Sequence, residues 1–156
     1  MRKSEAELQD LEEQPGHYIR RLQQIAVAIF LEETQAHGIT PVQFSALHVA
    51  CRQPGLDQRT LASTIGFDTS TIGGVIDRLE KRGLIARQAS PTDRRVRLLQ
   101  VTPAGAALLD AATPGMLKAQ QRILAPLAAA DRPRFQAMLK AVVEANNGLS
   151  RAPSDA

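Results

Sequence analysis

The order of patterns between Leu56 and Thr102 constrains this chain more than any other feature. Two short helical patterns joined by a tight turn run directly into two strand-like segments around an Arg-rich hairpin. Asp57 caps the first helix, whose apolar residues are Leu61, Ala62 and Ile65, and Gly66 supplies the left-handed residue that lets it turn sharply. Asp68 caps the second, which carries Ile72, Val75, Ile76 and Leu79 on one face and stops at Gly83. Leu84 to Gln88 and Val96 to Val101 alternate as strands, and Ala89-Ser90-Pro91-Thr92-Asp93 between them is dense in turn formers.

That order predicts a winged helix-turn-helix, mainly α with a small β-hairpin wing, and therefore double-stranded DNA as a partner. The second helix would be the recognition helix. Asp68, Thr69, Ser70 and Thr71 open it with short polar groups and unpaired backbone N–H groups, which suit phosphates or base edges. Arg78 follows on its exposed side. Gly73-Gly74 costs a helix about 1 kcal/mol per glycine relative to Ala, so it needs a reason. One reading is close approach of DNA, which makes Gly74 a candidate contact; the other is tight packing on the preceding helix. In the hairpin, Arg94 and Arg95 can enter a narrow minor groove, whose negative potential attracts cations. Asp93 is the supporting residue, expected to cap the turn and to hold an Arg side chain by a two-pronged hydrogen bond.

Charge agrees by distribution more than by amount. The formal net charge is only +3. Between Asp77 and Arg97, however, seven Arg or Lys (78, 81, 82, 87, 94, 95, 97) face three acids (77, 80, 93), whereas Glu5, Glu7, Asp10, Glu12 and Glu13 make the N-terminal arm acidic. A phosphate-facing surface needs such asymmetry.

The flanks are helical. After an arm at 1–14, Pro15-Gly16 opens a pattern to about Gln35 with Tyr18, Leu22, Ile25 and Ile29 in register. Thr40 and Pro41 open the next helix, through about Arg52, with Phe44, Leu47, His48 and Cys51 on one face. Thr102-Pro103 restarts a helix that Thr113-Pro114-Gly115 must kink or interrupt. Asp131 is the expected cap of a last helix to about Asn147, with Phe135, Met138, Leu139, Val142 and Val143 on one face. Residues 149–156 read as a polar tail. Aromatics at 3% and no Trp fit an Ala/Leu-rich helical interior.

At Asp68-Thr69-Ser70-Thr71, Val75-Ile76-Asp77-Arg78-Leu79-Glu80-Lys81-Arg82-Gly83-Leu84-Ile85, Arg87, Asp93-Arg94-Arg95 and Val101-Thr102-Pro103-Ala104-Gly105, the sequence resembles the MarR family of winged-helix regulators. Gly73-Gly74 departs from the pattern, since many members carry bulkier polar residues there, and Val101 stands in place of Leu before Thr102. The resemblance covers roughly residues 15–148. It implies a single MarR-like domain, with the winged helix-turn-helix at about 40–102 and dimerisation helices at about 15–36 and 102–148. It implies a homodimer on a pseudo-palindromic operator. It also implies a repressor of a catabolic operon, released by a small aromatic acid bound between the dimer base and the DNA-binding lobe.

The first helix, His17-Tyr18-Ile19-Arg20-Arg21 with Gln24 to Phe30, further resembles members that respond to hydroxybenzoate- or hydroxynicotinate-like acids. His17, Arg20, Phe44 and His48 are the candidate effector site, because Arg offers a carboxylate a planar fork and His can donate to a ring substituent. Surface pairing of Arg20 and a satisfied core His48 are the competing readings.

Other functions find less support. Scattered histidines, one cysteine and no Gly-rich phosphate loop give no enzyme, metal or cofactor motif. Cys51 is expected to be a buried, inert thiol, with oxidant sensing as the alternative. A winged helix serving protein contacts without DNA is a further alternative. With no apolar run of about 20 residues and an acidic start, no membrane association is expected and the location is read as cytoplasmic.

Overall fold

A computed structural model describes residues 10–154. Six helices and one hairpin follow in the order α1 (Pro15–Glu33), α2 (Pro41–Arg52), α3 (Gln58–Ile65), α4 (Thr69–Lys81), β1 (Ile85–Ala89), β2 (Arg97–Val101), α5 (Pro103–Leu124) and α6 (Arg132–Asn146). Among the described residues no helix is long and apolar enough to cross a membrane.

Side chains written into the sequence set the helix starts. Thr40 and Gln43 form a reciprocal box: the Gln43 N–H donates to Thr40 Oγ1 at 3.3 Å and the Thr40 N–H to Gln43 Oε1 at 3.1 Å. Asp57 accepts from the Thr60 N–H at 2.8 Å, and Thr102 accepts from the Gly105 N–H at 3.0 Å while its hydroxyl donates to the Gly83 carbonyl at 2.7 Å. Gln14 before α1 and Asp131 before α6 are exceptions. Asp131 occupies the cap position of α6 without a side-chain cap bond, and Arg132 instead turns back to donate from Nε to the Leu127 carbonyl at 3.1 Å. The first helix ends at Glu33, earlier than its pattern suggested; a 3-10 turn follows, and Gly38 closes it at φ 57°.

β1 and β2 pair antiparallel, with Ile85 opposite Val101 and Ala89 opposite Arg97. A third segment joins them that alternation did not reveal. The Leu99 N–H donates to the Leu56 carbonyl at 2.9 Å and the Gly55 N–H to the Leu99 carbonyl at 3.0 Å, so the loop before α3 lies along β2. Pro114 does not interrupt α5, which runs unbroken from Pro103 to Leu124. Thr113 donates its hydroxyl to the Leu109 carbonyl at 2.7 Å, one residue before the Asp110 carbonyl that Pro114, with no N–H, leaves without its helical donor. Gly115 allows α1 and α5 to cross closely, since a Cβ there would lie 2.4 Å from the Glu33 carbonyl oxygen. Beside the crossing, Arg122 pairs with Glu33 at 2.6 Å and Glu32 at 3.0 Å, and Lys118 with Glu33 at 3.0 Å. Arg122 and then Lys118 hold the Glu33 carboxyl below its ordinary range.

The core lies where α2, α3, α4, the hairpin and α5 meet, around Leu47, Leu61, Ile72, Ile76, Leu79, Ile85 and Leu99, each almost fully buried. On α2 the buried residues are Gln43, Phe44, Ala46, Leu47 and Ala50. His48 and Cys51, expected on that apolar face, are exposed, which corrects the reading of Cys51 as a buried thiol. In the last turn of α2 only Ala50 is buried, and Cys51 and Arg52 lie on the solvent side. α6 buries nothing fully, and Met138, Val142 and Val143 on it are more than half exposed, as are Tyr18 and Ile19 on α1. Among the described residues no group of His, Cys, Asp and Glu could hold a metal ion.

Candidate nucleic-acid interface

The start of α4 is organised by one carboxylate. Asp68 Oδ1 accepts the Thr71 N–H and the Ser70 hydroxyl, each at 2.8 Å, and Oδ2 accepts the Thr71 hydroxyl at 2.7 Å. The Thr71 N–H, then the two hydroxyls, hold the Asp68 carboxyl far below the usual carboxylate range. Both oxygens are engaged, so Asp68 shapes the helix start. Ser70 and Thr71 donate their hydroxyl hydrogen bonds to it and keep lone pairs free to accept; Thr69 stands exposed beside them.

The two glycines separate into different roles. A Cβ at Gly73 would lie 3.3 Å from Gln58 Nε2 on α3, whereas at Gly74 it would meet nothing within 4 Å. Packing therefore accounts for Gly73. Gly74 opens onto free space, where another molecule can approach the backbone.

Sequence reading passed over Arg87 as one more cation of the basic run. Reaching from β1, its Nη1 donates to Asp77 Oδ1 at 2.5 Å and Glu80 Oε2 at 3.1 Å, and its Nη2 to Gln58 Oε1 and the Gly73 carbonyl, each at 3.2 Å. One planar guanidinium thus ties α3, α4 and the wing together, and it holds the Asp77 carboxyl below its ordinary range. Arg82, though exposed, is also engaged within the chain, donating to the Gly38 carbonyl at 2.8 Å and the His37 carbonyl at 3.1 Å. These two cations fasten the recognition helix and do not serve its outer surface.

Other arginines are left for solvent. Arg78, Arg94 and Arg95 are exposed and form no ion pair among the described residues. Asp93 supports the tip through backbone: Oδ1 accepts the Arg95 N–H at 2.9 Å, and its carbonyl accepts the Val96 N–H at 3.0 Å. The expected two-pronged grip on an Arg side chain does not form among the described residues, because the carboxylate is turned to the main chain. Between the wing and the starts of α3 and α4 runs a cleft of about 470 Å³, lined by Gln58, Arg59, Thr69, Arg95 and Arg97 among others. Arg59 and Arg97 were not among the candidates. Arg97's position two residues after Arg95, at the start of β2, and Arg59's place in the first turn of α3, were the signals available.

The effector candidates come together only in part. Phe44 and His48 stack, with ring centroids 6.4 Å apart and planes at 8°, and Phe30 meets Phe44 edge-on at 5.9 Å. His17 is half-buried edge-on to Tyr18 at 5.5 Å, and Arg20 is exposed. No ring contact or hydrogen bond among the described residues joins these two to the Phe44–His48 pair.

Comparison with known proteins bears on this arrangement directly. The MarR family profile matches residues 39–96, from the start of the helix-turn-helix unit to the wing tip. Over 126 residues the chain is 36% identical to a putative transcriptional regulatory protein for the hcr operon of Thauera aromatica, covering 80% of this chain and 76% of that protein. Over 138 residues it is 32% identical to the HTH-type transcriptional repressor NicR of Pseudomonas putida, covering 88% and 87%. The PcaV transcriptional regulator of Streptomyces coelicolor, in complex with its natural ligand, superposes with a TM-score of 0.80 at 35% identity, over 87% of this chain and 96% of that one. Bordetella bronchiseptica BpsR, whose DNA binding is regulated by 6-hydroxynicotinic acid, gives 0.79 at 32% identity, over 85% and 94%. The profile match falls on the helix-turn-helix and wing, and the relatives are regulators that span most of both chains. This chain is therefore a transcriptional regulator and not an enzyme, a winged-helix member of the MarR family.

Proposed function

We propose that the protein is a homodimeric repressor that covers a pseudo-palindromic operator and is released by a small aromatic carboxylate. DNA contact is assigned to Thr69, Ser70, Thr71, Gly74 and Arg78 on the recognition helix, with Asp68 shaping its start. Arg94 and Arg95 on the wing complete the set, positioned by Asp93. The observation that carries this reading is the division among the arginines: Arg82 and Arg87 are consumed in holding α4, while Arg78, Arg94 and Arg95 are exposed and form no ion pair among the described residues.

Dimerisation is supported by the uncovered apolar residues of α1 and α6, for which a thin protomer has no further core. Residues 15–148 would then be one regulatory domain with α1, α5 and α6 as its dimer base. A carboxylate effector is supported by the stacked Phe44–His48 pair, with Arg20 and His17 on the neighbouring helix, and by the ligands named for PcaV and BpsR. A hydroxybenzoate or hydroxynicotinate suits such a site: the ring stacks on aromatic faces and the carboxylate meets a guanidinium.

Fluorescence anisotropy on duplex from the region upstream of its own gene tests the reading, with and without a panel of hydroxylated benzoates and pyridine carboxylates. The expected result is tight, salt-sensitive binding released by one of these acids, with release weakened in His48→Ala and Arg20→Ala. Binding that no acid relieves contradicts the effector assignment. The exposure of Cys51 favours one second reading, release by oxidation, which peroxide in the same titration and Cys51→Ser would show.

A further inference from the structure

Residues 147–154, which follow α6, are fastened. Asn147 Nδ2 donates to the Ser154 carbonyl at 2.7 Å, and the Ser154 N–H donates to Asn147 Oδ1 at 2.9 Å, closing a loop with a reciprocal pair. The Ser154 hydroxyl donates to the Thr64 carbonyl in α3 at 3.1 Å. Where the chain turns from α3 to α4, a Cβ on Gly66 would lie 3.5 Å from Ser154 Cβ and 3.8 Å from the Ala152 carbonyl oxygen. The segment therefore runs along the helix-turn-helix and joins it to the end of α6.

Its charge lies at a telling place. Arg151 lines a shallow cleft with Arg59, Asp68 and Thr69, and Arg59 and Thr69 also line the cleft beneath the wing. The two clefts thus meet across the starts of α3 and α4, and the cations Arg97, Arg95, Arg59 and Arg151 run along them in one band. Arg151 is exposed and forms no ion pair among the described residues. Its charge reaches the Asp68 carboxylate, but both oxygens there are already held by Thr71 and Ser70.

We propose that residues 147–154 form a strap that carries Arg151 onto the DNA-facing surface, where its guanidinium meets a backbone phosphate on the side of the recognition helix away from the wing. The partner is duplex DNA, read through its phosphates and not its bases. The Asn147–Ser154 pair orders the segment beforehand, so that little ordering remains when DNA binds. The inference rests on the DNA-binding reading above.

The test is anisotropy over a range of KCl, using a labelled duplex that the wild-type protein selects from a randomised pool. Arg151→Ala is expected to weaken binding about fivefold to tenfold and to lower the salt slope by about one, with Arg151→Lys keeping the slope. Asn147→Ala with Ser154→Ala is expected to weaken binding although Arg151 is intact, with the helix content by circular dichroism retained at the temperature of the titration. Unchanged affinity in Arg151→Ala, or weaker binding at unchanged slope, overturns the phosphate contact. Unchanged affinity in the double variant overturns the strap. If the wild-type protein selects no duplex at all, the DNA-binding reading falls and this inference with it.

Discussion

Chemically identical arginines do different work here because of what each can reach. Arg87 is mostly buried and meets two carboxylates, a side-chain amide and a carbonyl. Its carboxylate partners are exposed, so solvent screens those ion pairs and they add little. The bonds to Gln58 and Gly73 add to this because they are partly buried. Arg87→Ala is expected to cost about 1–3 kcal/mol in urea unfolding, and Arg87→Lys to recover little, because an ammonium lacks the planar fork. DNA affinity should fall in both variants, since the pose of α4 depends on that fork. Asp68 gives a pH-dependent expectation. Its folded-state carboxyl is lowered below 3.8, so its stabilisation of the helix start is fully present above that value and is lost as pH falls through the folded-state value. The stability difference between wild type and Asp68→Asn should therefore be constant near neutrality and shrink in acid below about pH 4. A difference that persists unchanged at the acid end would contradict the role of the ionised cap.

At the scale of elements, the two glycines of α4 separate packing from approach. Gly74→Ala places a methyl in open space and should stabilise the helix by about 1 kcal/mol, while weakening operator binding if DNA comes close there. Gly73→Ala should gain less, since its methyl must displace the end of Gln58. Gly105→Ala is different in kind: its Cβ would sit 2.1 Å from the Leu84 carbonyl oxygen, a clash with backbone expected to cost about 1–3 kcal/mol or more in thermal melts. Helix starts were legible in sequence because Thr40, Asp57, Asp68 and Thr102 cap residues only three positions away. The Leu56–Leu99 pairing was not, nor Arg87's reach to Gln58 across 29 residues, nor Ser154's to Thr64 across 90. Local periodicity carries no record of partners that distant. That Pro114 leaves α5 uninterrupted was not legible for a related reason. A proline's cost was visible in sequence, whereas the close crossing with α1 at Gly115 that accompanies the unbroken helix was not.

For the whole molecule, the uncovered faces of α1 and α6 and the unpaired arginines of the wing belong to one account. Two copies joined through those helices would present two recognition helices to successive turns of one face of DNA. Val142→Glu with Val143→Glu, at positions more than half exposed in the protomer, should leave the protomer folded by circular dichroism and shift sedimentation from dimer to monomer. Operator affinity should fall with it, because the two half-sites are no longer linked. The most direct test of DNA recognition is the salt dependence of duplex binding, by anisotropy, for wild type and for Arg94→Ala with Arg95→Ala. The account predicts steep salt dependence for wild type, with affinity reduced at least about tenfold and the slope lowered by about two in the double variant. Equal affinity and equal slope in the two proteins would contradict it, and would leave the wing as a surface for some partner other than DNA.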